Sequence, residues 1–139
     1  MIQRIQSIWL LIAALLNGAV FKLPFYSGDW VKDNLPNTVI NLTAQTTIWN
    51  TIAAVLAGLL AIITIFLFTN RKLQLRLARV GMIISLLLAA VCLFQITQFN
   101  GGSISPWCIL YFAAPLCFLL AANGINKDQK LIKSMDRLR

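Results

Sequence analysis

A chain of 139 residues is long enough for one domain, and 59% of it is hydrophobic while only 12% is charged. Soluble domains carry about 25% charged residues, so this composition excludes an ordinary water-soluble protein and makes lipid the expected solvent. The net charge of +8 comes from 12 Lys or Arg against 4 Asp and no Glu, and the chain has no His. Without His or Glu the common catalytic triads, two-carboxylate chemistry within the bilayer and His-based metal centres are not expected. No cofactor or metal is expected, and the reading is not an enzyme.

The basic residues flank apolar runs and form no aromatic-interleaved platform, so nucleic acid is not an expected partner. Anionic headgroups of a phospholipid bilayer are.

The first apolar segment runs from about residue 5 to 21. Arg4 followed by the run Ile8 to Leu16 has the outline of a signal peptide. The best cut would follow Ala19, with Asn17 two residues before it, a poor cleavage signal, so an uncleaved first helix is expected. Segments two, three and four span about residues 48–68, 80–99 and 107–122. Crossing the hydrocarbon takes about 20 residues. Segments two and three meet that, and uncharged flanks extend the others. Backbone polar groups in lipid must be paired within the segment, so all four are read as helices. The fold class is an all-α integral membrane protein, a four-helix up-down transmembrane bundle.

The connections differ in charge. The outer loop, 22–47, carries Lys22, Lys32, Asp29 and Asp33 and is neutral. It has turn signals at Ser27-Gly28-Asp29 and Asn34-Leu35-Pro36-Asn37. Thr38-Val39-Ile40-Asn41-Leu42 is β-prone, so a small extracytoplasmic cap with a hairpin or short helix fits between helices one and two. The loop 70–79 carries Arg71, Lys72, Arg76 and Arg79. The stretch Asn100 to Pro106 is uncharged, and the tail 124–139 is again basic. Lys/Arg-rich segments stay in the cytoplasm, which places both termini and the 70–79 loop inside. Trp30, Trp49, Trp107 and Tyr111 then fall at the outer ends, at headgroup level, with Trp9 nearer the inner face.

Small residues offer ridges for helix packing in lipid: Ala14 and Gly18; Ala54, Gly58 and Ala61; Gly81, Ser85 and Ala89; Ala113, Cys117 and Ala121. Pro115 removes a backbone donor inside segment four, and a static bend is expected there. The three cysteines, Cys92, Cys108 and Cys117, are an odd number without zinc spacing and read as structural. Asp29 and Asp33 read as solvated charges balancing Lys22 and Lys32.

No charge lies inside the four segments, which argues against proton relays and ion pathways. The polar groups within them read as glue between helices. The alternative is a small transporter or lipid-binding protein with an outer-facing polar cavity around Asn17, Gln95 and Gln98. On the cytoplasmic side, Lys72, Arg76 and Arg79 share one helical face and Leu73 and Leu77 another. Leu131, Met135 and Leu138 recur at i, i+4, i+7 with Lys130, Lys133 and Arg137 off that stripe. This is a basic amphipathic helix, suited to an anionic membrane or to a partner. The candidate partner or lipid contacts are Arg71, Lys72, Arg76, Arg79, Lys130, Leu131, Lys133, Met135, Arg137 and Leu138. The expected function is non-catalytic: a structural or accessory subunit of a larger membrane complex.

Three blocks carry a family resemblance: Met1-Ile2-Gln3-Arg4-Ile5-Gln6; Asn70-Arg71-Lys72-Leu73-Gln74 with Arg76 and Leu77; and Lys127-Asp128-Gln129-Lys130-Leu131 with Ser134 and Asp136-Arg137-Leu138-Arg139. On these the chain resembles a Bacteroidota family of small membrane proteins, domain of unknown function 4293. It departs at Gln129 and Met135, where members often carry Glu and Ala. The resemblance implies a four-helix inner-membrane protein of a Gram-negative host and carries no known activity.

Overall fold

The computed structural model describes residues 3–30, 39–67 and 69–136. Its order is α1 (Gln3–Ala19), β1 (Tyr26–Trp30), β2 (Val39–Leu42), α2 (Ile48–Phe66), α3 (Arg71–Ile96), β3 (Phe99–Ile104) and α4 (Cys108–Asp136). The protein is therefore mostly helical, with a small sheet. Ile48–Phe66, Arg71–Ile96 and Cys108–Ile132 are each long and apolar enough to cross a membrane, and Ile5–Ala19 is a shorter apolar helix.

The helices close a ring in which α1 packs on α2 and α4, and α3 packs on α2 and α4. Each presents one buried stripe with alternating steps of three and four residues. The stripes are Gln6, Leu10, Ala13, Asn17, Val20; Asn50, Ala54, Ala57, Ala61, Thr64; Gln74, Ala78, Gly81, Ser85, Leu88, Cys92, Gln95; and Tyr111, Ala114, Phe118, Ala121, Ile125, Asp128. A spacing averaging 3.5 keeps one seam inward along the helix, the geometry of bundles with slightly crossed helices. Most positions inside the α2 and α3 stripes are small, which allows close approach. A Cβ on Gly81 would lie 2.6 Å from Cε1 of Phe118, so this glycine is what lets α4 seat its ring against α3. The expected ridges on α2, α3 and α4 contribute to these stripes. The one on α1 does not: Gly18 is exposed and has open space where a Cβ would be, because Ala13 and Asn17 take the inward positions.

The basic segment 70–79, expected as a loop, is helical from Arg71 and continuous with α3. Its Arg, Lys, Leu, Gln and Ala residues are good helix formers with no Gly or Pro among them, and Gln74, Leu75 and Ala78 are buried against the bundle. The buried face is thus not the Leu73–Leu77 face; Leu73 is exposed. Segment four and the expected tail are likewise one helix of 29 residues. The Asn123-Gly124 pair does not end it, since Gly124 sits against the Gln6 side chain of α1.

The connections at the other end also differ from expectation. The sheet has strand order β2-β1-β3, both pairings antiparallel. The cap is thus not built from residues 22–47 alone, since the connection between α3 and α4 supplies its third strand. Ser27-Gly28-Asp29 is not a turn but the middle of the central strand. Gly28 is needed there because a Cβ would collide with the Gly101 carbonyl oxygen. Gly28 pairs with Gly102 and Asp29 with Asn100, so Gly101 is an extra residue, with φ +78. Such a left-handed conformation is the natural place for glycine in a bulge. Thr38 and the Asn34–Asn37 turn signal lie outside the described residues.

The sheet sits on the bundle through Phe25, Tyr26, Leu42 and Phe99, which join Val20, Ala54, Leu88, Ala89, Cys92 and Tyr111 in one apolar cluster. Phe25 meets Tyr111 edge-on at 4.9 Å. Tyr111 is therefore not a headgroup anchor but a buried strut. Its hydroxyl lies 3.1 Å from the carbonyl oxygens of both Val20 and Leu23 and shares its proton between them. Trp49 and Trp107 are exposed and Trp9 packs on the middle of the bundle.

Candidate functional site

Two polar clusters terminate the buried stripes, one at each end of the bundle. At the end away from the sheet, three helices meet at one carboxylate oxygen. Gln6 on α1 donates through Nε2 to Oδ2 of Asp128 on α4. The Arg71 guanidinium, at the start of α3, reaches the same oxygen at 3.2 Å. The pair is largely enclosed, with side-chain exposures of 18% for Arg71 and 11% for Asp128. The N-terminus of α3 adds its partial positive charge beside the carboxylate. The fourth helix is tied in by Gln74, whose Nε2 donates to the Thr64 carbonyl of α2 at 3.2 Å. The Gln74 side-chain oxygen Oε1 and the Gln129 Nε2 have no hydrogen-bond partner among the described residues.

Cations surround this junction. Lys72, Arg76 and Arg79 on α3 and Lys127 and Lys130 on α4 are exposed. From Gln129 to Asp136, α4 continues about 12 Å past Asp128, at ~1.5 Å per residue, with Leu131 and Ile132 about half exposed. Of the residues singled out from the sequence, Arg71 alone among those described is drawn into the protein as an ion-pair partner. Lys72, Arg76, Arg79, Lys130 and Leu131 stay on the surface. Lys133 and Met135 lie in α4 with side chains outside the described ones, and Arg137 and Leu138 lie outside the described residues, as do Lys32 and Asp33.

Near the sheet, Asn50 on α2 donates through Nδ2 to Oε1 of Gln95 on α3 at 2.8 Å, and Gln95 donates to the Thr47 hydroxyl at 3.2 Å. Asn17 turns back on its own helix, donating to the Ala13 carbonyl at 2.8 Å. Gln98 is exposed. The structure thus pairs Gln95 with Asn50 rather than with Asn17 or Gln98. The cysteines are all free, with Cys92 and Cys117 buried. Among the described residues no group of three Cys, Asp or other metal-ligating side chains comes together.

Gln6, Gln74 and Asp128 form the junction, yet residue type and spacing did not single them out. A signal was present: each lies in phase with its helix's stripe of small and apolar residues. A polar side chain in such a stripe needs a partner on a neighbouring helix. The three blocks that carry the family resemblance include all three residues, plus Arg71, so segments far apart in sequence converge on one oxygen atom. No curated protein and no solved structure matches the chain. The family model described as Domain of unknown function (DUF4293) matches residues 2–138, and the chain belongs to that family.

Proposed function

We propose that this is a non-catalytic protein of the bacterial inner membrane, an accessory or structural subunit that docks to a larger membrane assembly through its basic end. In this reading the four helices cross the bilayer up and down, and both termini are cytoplasmic. The charge distribution supports that orientation: the exposed Lys and Arg of α3 and α4 gather at one end, and such segments stay on the cytoplasmic side. The observation that carries the docking reading is the C-terminal part of α4. It runs past the Arg71–Asp128 pair and presents Leu131 and Ile132, each about half exposed, beside the exposed Lys130. Half-exposed apolar residues framed by cations suit an amphipathic, acidic partner segment.

Affinity purification from native membranes tests this. Full-length protein is compared with a chain ending at Lys130, which keeps Ile125 and Asp128 and hence the bundle. The expected result is a set of membrane proteins that co-purifies with the full chain and is lost from the shortened one. Full-length protein isolated alone would sink the proposal. Orientation is checked separately by labelling cysteines placed at Ile104 and Ser134 with an impermeant maleimide. Ser134→Cys should react only after the cytoplasmic face is opened, and Ile104→Cys before.

A further inference from the structure

Between α3 and α4, on the outer face of the bundle, lies a groove of about 350 Å³ lined by Met82, Ile83, Leu86, Phe112, Pro115, Leu116 and Leu119. Every lining residue is apolar, and the volume is within the ~300–1,000 Å³ of small-molecule sites. The groove continues toward the basic end into charge. Arg79, Ile83 and Leu86 follow one another by four and three residues, so they share a stripe on α3, and Arg76 and Lys72 extend it. On α4, Leu119, Asn123 and Lys127 follow at steps of four. Leu75, Ala78, Ala122 and Ile125 pack as one cluster. Those contacts, with Gly81 against Phe118, set Arg76 and Arg79 level with Leu120 to Gly124 across the seam, and Lys127 level with Lys72 and Leu73. All of these polar residues are exposed. The described carboxylate nearest them, Asp128, is already held by Arg71 and Gln6.

We propose that this seam is a binding site for one anionic phospholipid, with an acyl chain in the groove and the phosphate against Arg76 and Arg79. Depth and charge complementarity both select this occupant. The groove begins about one turn beyond Arg79 and reaches Leu86 about 10 Å from it, at ~1.5 Å per residue. One leaflet's hydrocarbon is about 15 Å deep, half the ~30 Å core. The groove therefore lies at the depth of the acyl chains whose headgroups meet the two arginines. Among the described residues no carboxylate pairs with either arginine, and their positive charge discriminates in favour of a net-negative headgroup over a zwitterionic one. The site does not rest on the docking of a protein partner, because it uses the seam and not the projecting turns of α4.

Native mass spectrometry of the full-length protein in detergent provides the test. Micelles are doped with phosphatidylglycerol or with phosphatidylcholine of identical chains, and a third sample contains glycerol phosphate without chains. The expected result is one phosphatidylglycerol retained per protein, with much less phosphatidylcholine and no retained glycerol phosphate. Arg76→Gln and Arg79→Gln should each lower phosphatidylglycerol retention roughly fivefold. Leu116→Trp, which fills the groove from the other helix, should lower retention of both lipids. Melting temperatures of each variant are read alongside, and each substitution tests the site independently of the others. Equal retention of the two lipids, retention unaffected by all three substitutions, or a protein dimer in place of the lipid adduct would overturn the proposal.

Discussion

The two ends of the bundle are closed by different chemistry. At the sheet end, neutral groups do the work: a three-stranded cap, an apolar cluster around Phe25 and Tyr111, and amide and hydroxyl hydrogen bonds among Asn50, Gln95 and Thr47. At the opposite end a single carboxylate gathers Arg71 and Gln6, with cations all around. The first kind of closure tolerates changes in salt, while the second depends on one charge pair. It is the charged end that carries the exposed Lys72, Arg76, Arg79, Lys127 and Lys130.

Substitutions can break or sharpen this contrast. The largest effect is expected between the two ends. Gly81→Leu places side-chain atoms where Phe118 now lies and should loosen both ends together, with a loss of about 3 kcal/mol, at the top of the range for overpacking. Unfolding in detergent, followed by circular dichroism, measures it.

Next comes Asp128→Ala, which leaves the partly enclosed Arg71 and the buried Gln6 without their shared acceptor. A loss of about 2 kcal/mol is expected, as for hydrogen bonds to a charged group. Hydrogen exchange should rise at the ends of α1, α3 and α4 near the junction and stay unchanged in the sheet. Exchange rising equally at both ends would show that the two closures are one cooperative unit. At the other end, Gly102→Ala sets a Cβ against the Ser27 carbonyl oxygen in a backbone with φ +137. About 1–3 kcal/mol of local strain is expected, read as faster exchange of the β1 and β3 amides with α4 below Ala121 still protected.

Tyr111→Phe keeps the contact with Phe25 and removes only the hydroxyl that donates to the Val20 and Leu23 carbonyls. It should cost about 1 kcal/mol, the net worth of an ordinary hydrogen bond. The smallest effect is expected at Asn50→Leu, about 0.6 kcal/mol, typical for a hydrogen bond between helices in a membrane. A much larger loss there would show that the neutral end rests on its amides rather than on the apolar cluster and sheet.

The sequence was legible where one local property sufficed. Apolar runs marked helices two to four, and the β-prone Val39–Leu42 marked a strand. The ridge Gly81, Ser85, Ala89 was readable because small residues at steps of four are visible without knowing the neighbour. Charge alone marks 70–79 as a connection, while its helical faces, Lys72, Arg76 and Arg79 on one and Leu73 and Leu77 on another, agree with the helix that begins at Arg71. A basic stretch of good helix formers simply continues a helix when one face of it, here Gln74, Leu75 and Ala78, finds the bundle. The ridge Ala14, Gly18 holds only in part: Ala14 packs partly buried on the central cluster while Gly18 faces open space, because which side of α1 turns inward is set by Gln6, Leu10 and Ala13 meeting α2 and α4.

Composition, hydropathy and the positions of the charges determined by themselves that the protein is helical, is suited to a membrane and has one basic end. These are sums over neighbouring residues and need no partner. Only the tertiary structure decided that β1 pairs with a strand more than 70 residues later, that four stripes face one another, and that Gln6, Arg71 and Asp128 share an oxygen atom. Those contacts join parts of the chain that local patterns cannot relate. They form because a buried polar group, or an unpaired strand edge, must find its complement wherever packing brings one within reach.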